Sequence, residues 1–202
     1  MSGKFTKEEL KLLKKIEMDA YNLQRKYRGC TQTCLLALQE NFGFGNVDTF
    51  KAGNALCSGV AGMGVGPCGA LTGGVMALGI LFGRAVVEEA GGPREGGKSN
   101  FTRTFTLAKE LYEKFSKHYK GGVSCQHVQT VFYEKKKLHP ELGDKPYYES
   151  QAPEIQPLKE TGEYYEIVSQ KACFVVQTAA RMTAEIILRE RKIEYKMGKH
   201  IF

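Results

Sequence analysis

Apolar residues recur at every third or fourth position along most of this chain, and that rhythm predicts helices. Leu10, Leu13, Ile16 and Ala20, with lysines on the other faces, predict a first helix over about Lys7–Tyr27, which Thr6 and Glu9 open as a capping box. Gly29 ends it. The run CTQTCLLALQEN predicts a second helix over about Cys30–Asn41, with Cys30 and Cys34 on one face. After a turn at Phe42–Asn46 comes a shorter helix, about Val47–Cys57, with Asp48 in its first turn. Later in the chain, about Phe101–Tyr119 carries Phe105, Ala108, Leu111, Tyr112 and Phe115 on one side. Ser124 caps a helix over about Cys125–Lys135. The longest helix, about Gly162–Tyr195, has an apolar face of Ile167, Cys173, Val176, Ala180, Ala184, Ile187 and Leu188. No stretch alternates well enough to be a strand. The expectation is an all-α single domain over residues 1–202, a helical bundle of about seven helices.

The rhythm breaks between Ala52 and Gly83, where no side chain is ionisable except the thiols of Cys57 and Cys68. A glycine-rich half (Gly59, Gly62, Gly64, Gly66) leads into an apolar half rich in small residues. Proline suits the first helical position, so the fourth helix is expected to start at Pro67 or Cys68 and run to about Ala90. This Gly/Ala-rich helix is the expected centre of the bundle. Gly69 and Gly73, then Gly79 and Gly83, recur in four-residue steps. Each glycine costs about 1 kcal/mol against alanine inside a helix, so their number implies the close approach of another backbone or of a cofactor. A membrane span needs about 20 apolar residues, more than this segment offers, so no membrane span is expected. Residues 91–97 read as an exposed linker. The stretch 136–161 holds four of the six prolines and reads as a surface segment or lid.

A net charge of +7 adds little, because the basic residues are spread over several predicted helices; no nucleic-acid partner is expected. The first residues, MSGKFTKEELKLLKK, contain no apolar signal region or cleavage site, so the expectation is cytoplasmic. Cytosolic cysteines are seldom structural disulfides, and six of them point to redox work or metal binding.

Cys30, Cys68 and Cys125 each fall in the first turn of a predicted helix. Unused N–H groups and the helix dipole favour an anion there, and the thiolate is both nucleophile and metal ligand. His127 follows Cys125 by two residues, a spacing that faces it away on a helix; His118, His139 and His200 sit in polar, solvated contexts.

Cys30 before the leucine-rich helix, the glycine run into CGALTGG, the cysteine of Ser124-Cys125, and Cys173 in the last helix form one ordered pattern. That pattern resembles the redox-active family named for its cysteine motif, C_GCAxxG_C_C, over about residues 7–190. The family name's GCAxxG is not reproduced literally, since Pro67 precedes Cys68 and Gly69 separates it from Ala70. The resemblance implies that Cys30, Cys68, Cys125 and Cys173 are the functional cysteines, leaving Cys34 and Cys57 as extras. It implies redox activity or metal binding, compatible with an oxidoreductase without requiring one, and a redox partner protein. A homo-oligomer stays open.

The residues support two chemistries. In one, Cys68 is a low-pKa nucleophile and another cysteine resolves it, giving thiol–disulfide exchange or electron transfer. No C-x-x-C occurs, so any disulfide joins residues distant in sequence. In the other, Cys30, Cys68, Cys125 and Cys173 bind an iron–sulfur cluster or another metal as thiolates. A more distant reading takes Gly64, Gly66, Gly69 and Gly73 as a small-molecule or phosphate cradle, since Gly64–Gly69 satisfies G-x-G-x-x-G without the preceding strand.

Overall fold

Thr6 and Glu9 do form the capping box: the Glu9 N–H donates to Thr6 Oγ1 at 3.2 Å and the Thr6 N–H to Glu9 Oε2 at 2.7 Å. They start α1, Lys7–Tyr27. The structure, a computed structural model, describes residues 5–84, 100–136 and 163–196. Within these residues follow α2 (Cys30–Phe42), α3 (Val47–Ala52), a 3-10 turn (Asn54–Leu56), α4 (Gly69–Phe82), α5 (Asn100–His118), α6 (Cys125–Lys136) and α7 (Glu163–Lys196). There is no strand among the described residues, only an isolated antiparallel bridge between Pro67 and Ser124. The architecture is all-α, as the periodicity predicts. The linker 91–97, the stretch 136–161 apart from Lys136, and His139 and His200 lie outside the described residues.

The helix α4 packs against α2, α5 and α7, and α7 in turn touches α1, α2, α4 and α5. The centre is therefore shared between α2, α4 and the long α7. Buried Ala70, Leu71, Gly73, Gly74, Ala77 and Leu78 show why α4 carries no polar face: it is covered on several sides. On α1, Leu13, Ile16 and Ala20 are buried as expected, whereas Leu10 is exposed. On α5 the buried line is Leu107, Leu111 and Phe115, at four-residue steps. Phe105 and Tyr112 lie off that line and are exposed, which corrects the expected face.

Three boundaries differ from expectation. The third helix stops at Ala52, because buried Gly53 packs against Thr31 and Gln32 of α2 and the chain tightens into the 3-10 turn. Cys68 is the N-cap of α4, and Pro67 precedes it in extended chain, held by the bridge to Ser124 and by the Cys68 N–H on the Val123 carbonyl at 2.7 Å. At its far end α4 stops at Phe82 instead of Ala90. Gly83 turns extended there, and the Thr104 hydroxyl of α5 donates to the Phe82 carbonyl at 2.8 Å.

Polar clamps tie α7 to its neighbours. Arg189 donates both terminal nitrogens to Glu110 of α5, at 2.7 and 2.8 Å, and Lys192 reaches Glu9 at 2.7 Å. Arg191 donates to the Phe42 carbonyl at the end of α2 at 3.0 Å and lies over the Phe42 ring.

Candidate functional site

The segment from Cys57 to Cys68 is the most unusual backbone in the described residues. Ser58, Gly59, Val60, Ala61 and Gly62 all have positive φ, from 51 to 80°. Such a left-handed turn costs about 1–2 kcal/mol for each residue that carries a Cβ. Close packing holds it: the Ala61 N–H donates to the Ala55 carbonyl at 2.8 Å and the Gly64 N–H to the Ser58 carbonyl at 3.0 Å. A Cβ at Gly59 would lie 2.6 Å from Gly64 Cα, so the loop closes only because glycine stands there. The far end is fastened to α6, where the Cys125 and Gln126 N–H groups donate to the Gly66 and Gly64 carbonyls, both at 3.0 Å.

These bonds decide which cysteine receives a helix N-terminus. On α6, the first N–H groups go to Gly66, Gly64 and the Ser124 hydroxyl, so the dipole argument does not carry over to Cys125. The Cys125 sulfur instead takes the Gln129 side-chain amide at 3.1 Å. On α4, the N–H groups of Ala70 and Leu71 act on Cys68 in the expected direction. Complete burial, and then neighbouring Cys125, outweigh them and push the Cys68 thiol up to about 12. The expected low-pKa nucleophile is thus the harder thiol to ionise, because it lies in the core.

On α2 the N-terminus does meet a cysteine sulfur, but from elsewhere in the chain. Cys57 sits over the Gly29–Gln32 turn; a Cβ at Gly29 would lie 3.8 Å from its sulfur. It accepts a hydrogen bond from the Cys30 thiol, and from the N–H and hydroxyl of Thr31 and the N–H of Gln32, against the opposing effect of partial burial. Its pKa falls to about 5. While protonated it donates to the Gly53 carbonyl at 3.7 Å. Cys30, as the donor within the pair, is pushed up, with burial and nearby Cys68 adding to the effect. The Ser58 N–H donates to the Cys30 sulfur at 3.4 Å. Within the pair the proton favours Cys30 over Cys57.

Close contact with α2 also accounts for two of the α4 glycines. A Cβ on Gly69 would collide with the sulfur of Cys30 and lie 2.8 Å from Thr31 Oγ1; one on Gly73 would collide with the Thr31 carbonyl and lie 2.9 Å from Cys34 Cβ. Backbone approach explains this pair, and the space expected for a cofactor is filled by α2. In the same way Gly64 and Gly66 close the loop and cap α6. Gly79 has open space before it, whereas a Cβ on Gly83 would collide with the Gly79 carbonyl, so the second four-residue step closes the end of α4 on itself.

The remaining thiols are buried. Cys34 is wholly in the core, raised far above the usual range by burial and then by Cys68, and Cys173 is buried in α7. None of the six cysteines, all among the described residues, is disulfide-bonded. The described residues hold no group of three or more Cys, His, Asp or Glu side chains placed to bind a metal ion. The expected metal set of Cys30, Cys68, Cys125 and Cys173 does not form such a group among the described residues, although Cys68 lies near enough to Cys30 and to Cys125 for their charges to interact. His127 is a structural group, with Nε2 2.7 Å from the Tyr119 carbonyl. Sequence reasoning missed Cys57 as a site residue. Its place depends on a docking across the chain, and its only local mark is that it opens the uncharged glycine run.

A family model described as "Putative redox-active protein (C_GCAxxG_C_C)" matches residues 29–186. Neither a curated protein nor a solved structure matches the chain. No helix among the described residues is long and apolar enough to cross a membrane.

Proposed function

The chain belongs to the C_GCAxxG_C_C family, and from that premise we propose that it works by thiol–disulfide exchange at the pair Cys57 and Cys30. One observation carries the reading: the Cys57 sulfur sits over the first turn of α2 beside the Cys30 thiol, surroundings that lower its pKa. Cys57 and Cys30 are the two partly buried thiols, and Cys57 is the one whose pKa is lowered, so it is the sulfur that reacts first. Its thiolate attacks one sulfur of a disulfide, forming a mixed disulfide, and the other sulfur leaves as a thiolate. That leaving thiolate takes the Cys30 proton. Cys30 then attacks the Cys57 sulfur, closing Cys30–Cys57 and releasing the second sulfur as a thiolate. The protein gives up two electrons and the partner disulfide is reduced; the reverse sequence oxidises a dithiol. Buried Cys68, Cys34, Cys125 and Cys173 take no part in the first attack.

The test is a titration of the fully reduced chain with 2-hydroxyethyl disulfide, followed by thiol counting and peptide mass mapping. The expected product has lost two thiols and carries a Cys30–Cys57 link. Cys57→Ser should abolish the link and Cys173→Ser should leave it. A link between any other two cysteines, or no loss of thiols, would overturn the proposal.

A further inference from the structure

The surface next to Cys57 is apolar, and this inference rests on the thiol reading above. Val60, Met63 and Val65 are 42%, 65% and 73% exposed, although they fall within a single short loop. Ala61 and Pro67 beside them are exposed as well. No charged residue occurs between Ala52 and Gly83, in a chain that otherwise carries a net +7. The side chains are also presented on a fixed backbone. The Gly62 N–H donates to the Cys57 carbonyl at 3.3 Å, the Met63 N–H to the Val60 carbonyl at 2.9 Å, and the Gly64 N–H to the Ser58 carbonyl at 3.0 Å. Val60 keeps this exposed position at a φ of 67°, which a β-branched residue rarely adopts. Strain retained beside a reactive group is a signature of functional backbone.

Disulfide geometry supplies the occupant. A sulfur joined to Cys57 brings its own Cα to within about 4.4–6.8 Å of the Cys57 Cα. A polypeptide in mixed disulfide with Cys57 therefore runs beside residue 57, and the loop that continues from it is the exposed apolar surface at hand. We propose that residues 58–67 are the docking surface for a polypeptide disulfide flanked by uncharged, apolar residues. Charged flanks would be stripped of water against residues 58–67, none of which carries a charge. A small, symmetrical disulfide would react at Cys57 without using the loop.

The test compares second-order rates of oxidation of the reduced full chain by three probes: a peptide disulfide with leucine and valine flanks, the same peptide with glutamate flanks, and 2-hydroxyethyl disulfide. The apolar peptide should react about tenfold faster than the acidic one, the scale set by burying one or two such side chains. The double variant Met63→Ser/Val65→Ser should slow the apolar peptide about tenfold and leave 2-hydroxyethyl disulfide unchanged. Both residues are exposed, so the variant keeps its core. Equal rates for the two peptides, or a variant that slows all three probes alike, would overturn the docking surface while leaving the thiol chemistry standing. Failure of all three probes to produce Cys30–Cys57 would overturn both.

Discussion

Replacing Thr31 with valine tests how the Cys57 charge is held. Thr31 is fully buried, and its hydroxyl lies 3.1 Å from that of Thr72. Thr72 Oγ1 donates to the Gly69 carbonyl at 2.9 Å, so the Thr31 hydroxyl hydrogen is the one left to give, to Thr72 or to Cys57. A thiolate is the stronger acceptor and draws it. Valine keeps the shape and removes the donor. A hydrogen bond to a charged group is worth about 1.5–3 kcal/mol, and about 1.4 kcal/mol corresponds to one pKa unit. The N–H groups of Thr31 and Gln32 and the Cys30 thiol still hold the sulfur in the variant. The Cys57 pKa should therefore rise by about one to two units from its value near 5. The assay is the pH–rate profile of iodoacetamide labelling at Cys57, followed by peptide mass mapping from acid to pH 9. In the native chain the rate should be at half its plateau near pH 5, and the variant's midpoint should move upward. A serine at this position should restore most of the difference. A native midpoint near that of an ordinary thiol, or coincident midpoints for native chain and variant, would refute the reasoning.

Three further predictions concern the scaffold. Gly73→Ala should destabilise the chain by about 1–3 kcal/mol in chemical denaturation, because the new Cβ meets the Thr31 carbonyl and the Cys34 side chain. Gly79→Ala, facing open space on the same helix, should stabilise it by about 0.5–1 kcal/mol. Glu110→Gln should cost about 1 kcal/mol at neutral pH, a modest amount because the pair with Arg189 is partly exposed. The Arg189 guanidinium and then Lys114 hold the Glu110 carboxyl at about 2, below its ordinary 4.5. Its contribution is thus full above 4.5 and lost as pH falls through about 2, so denaturation curves of the native chain and the variant should converge in acid.

The helices were legible because their signals are local. Thr6 with Glu9, the steps of Leu13, Ile16 and Ala20, and Ser124 ahead of Cys125 each act within a turn or two of chain. The end of α4 was less so, since the hydroxyl that receives it, Thr104, comes from another helix. The site was legible only in part. That a thiolate gathers at a helix N-terminus follows from helix physics, but which cysteine occupies it does not. Burial removes Cys68 from that role, two glycine carbonyls take up the amides of Cys125 and Gln126, and Cys57 docks on α2 just before a left-handed turn that its Ser, Val and Ala residues give no reason to expect.

The helix α2 has no acidic residue in its first turn and no basic residue in its last. Both of its compensating charges are borrowed: the Cys57 sulfur at one end, Arg191 of α7 at the other. The helix is therefore a capacitor with one removable plate. Closing a Cys30–Cys57 disulfide discharges the N-terminal plate and leaves the C-terminal one in place, so the amides of Thr31 and Gln32 lose their anionic acceptor. Hydrogen exchange at those two positions should quicken on oxidation while exchange near Phe42 stays as it was, making the first turn of α2 an internal gauge of the thiol pair.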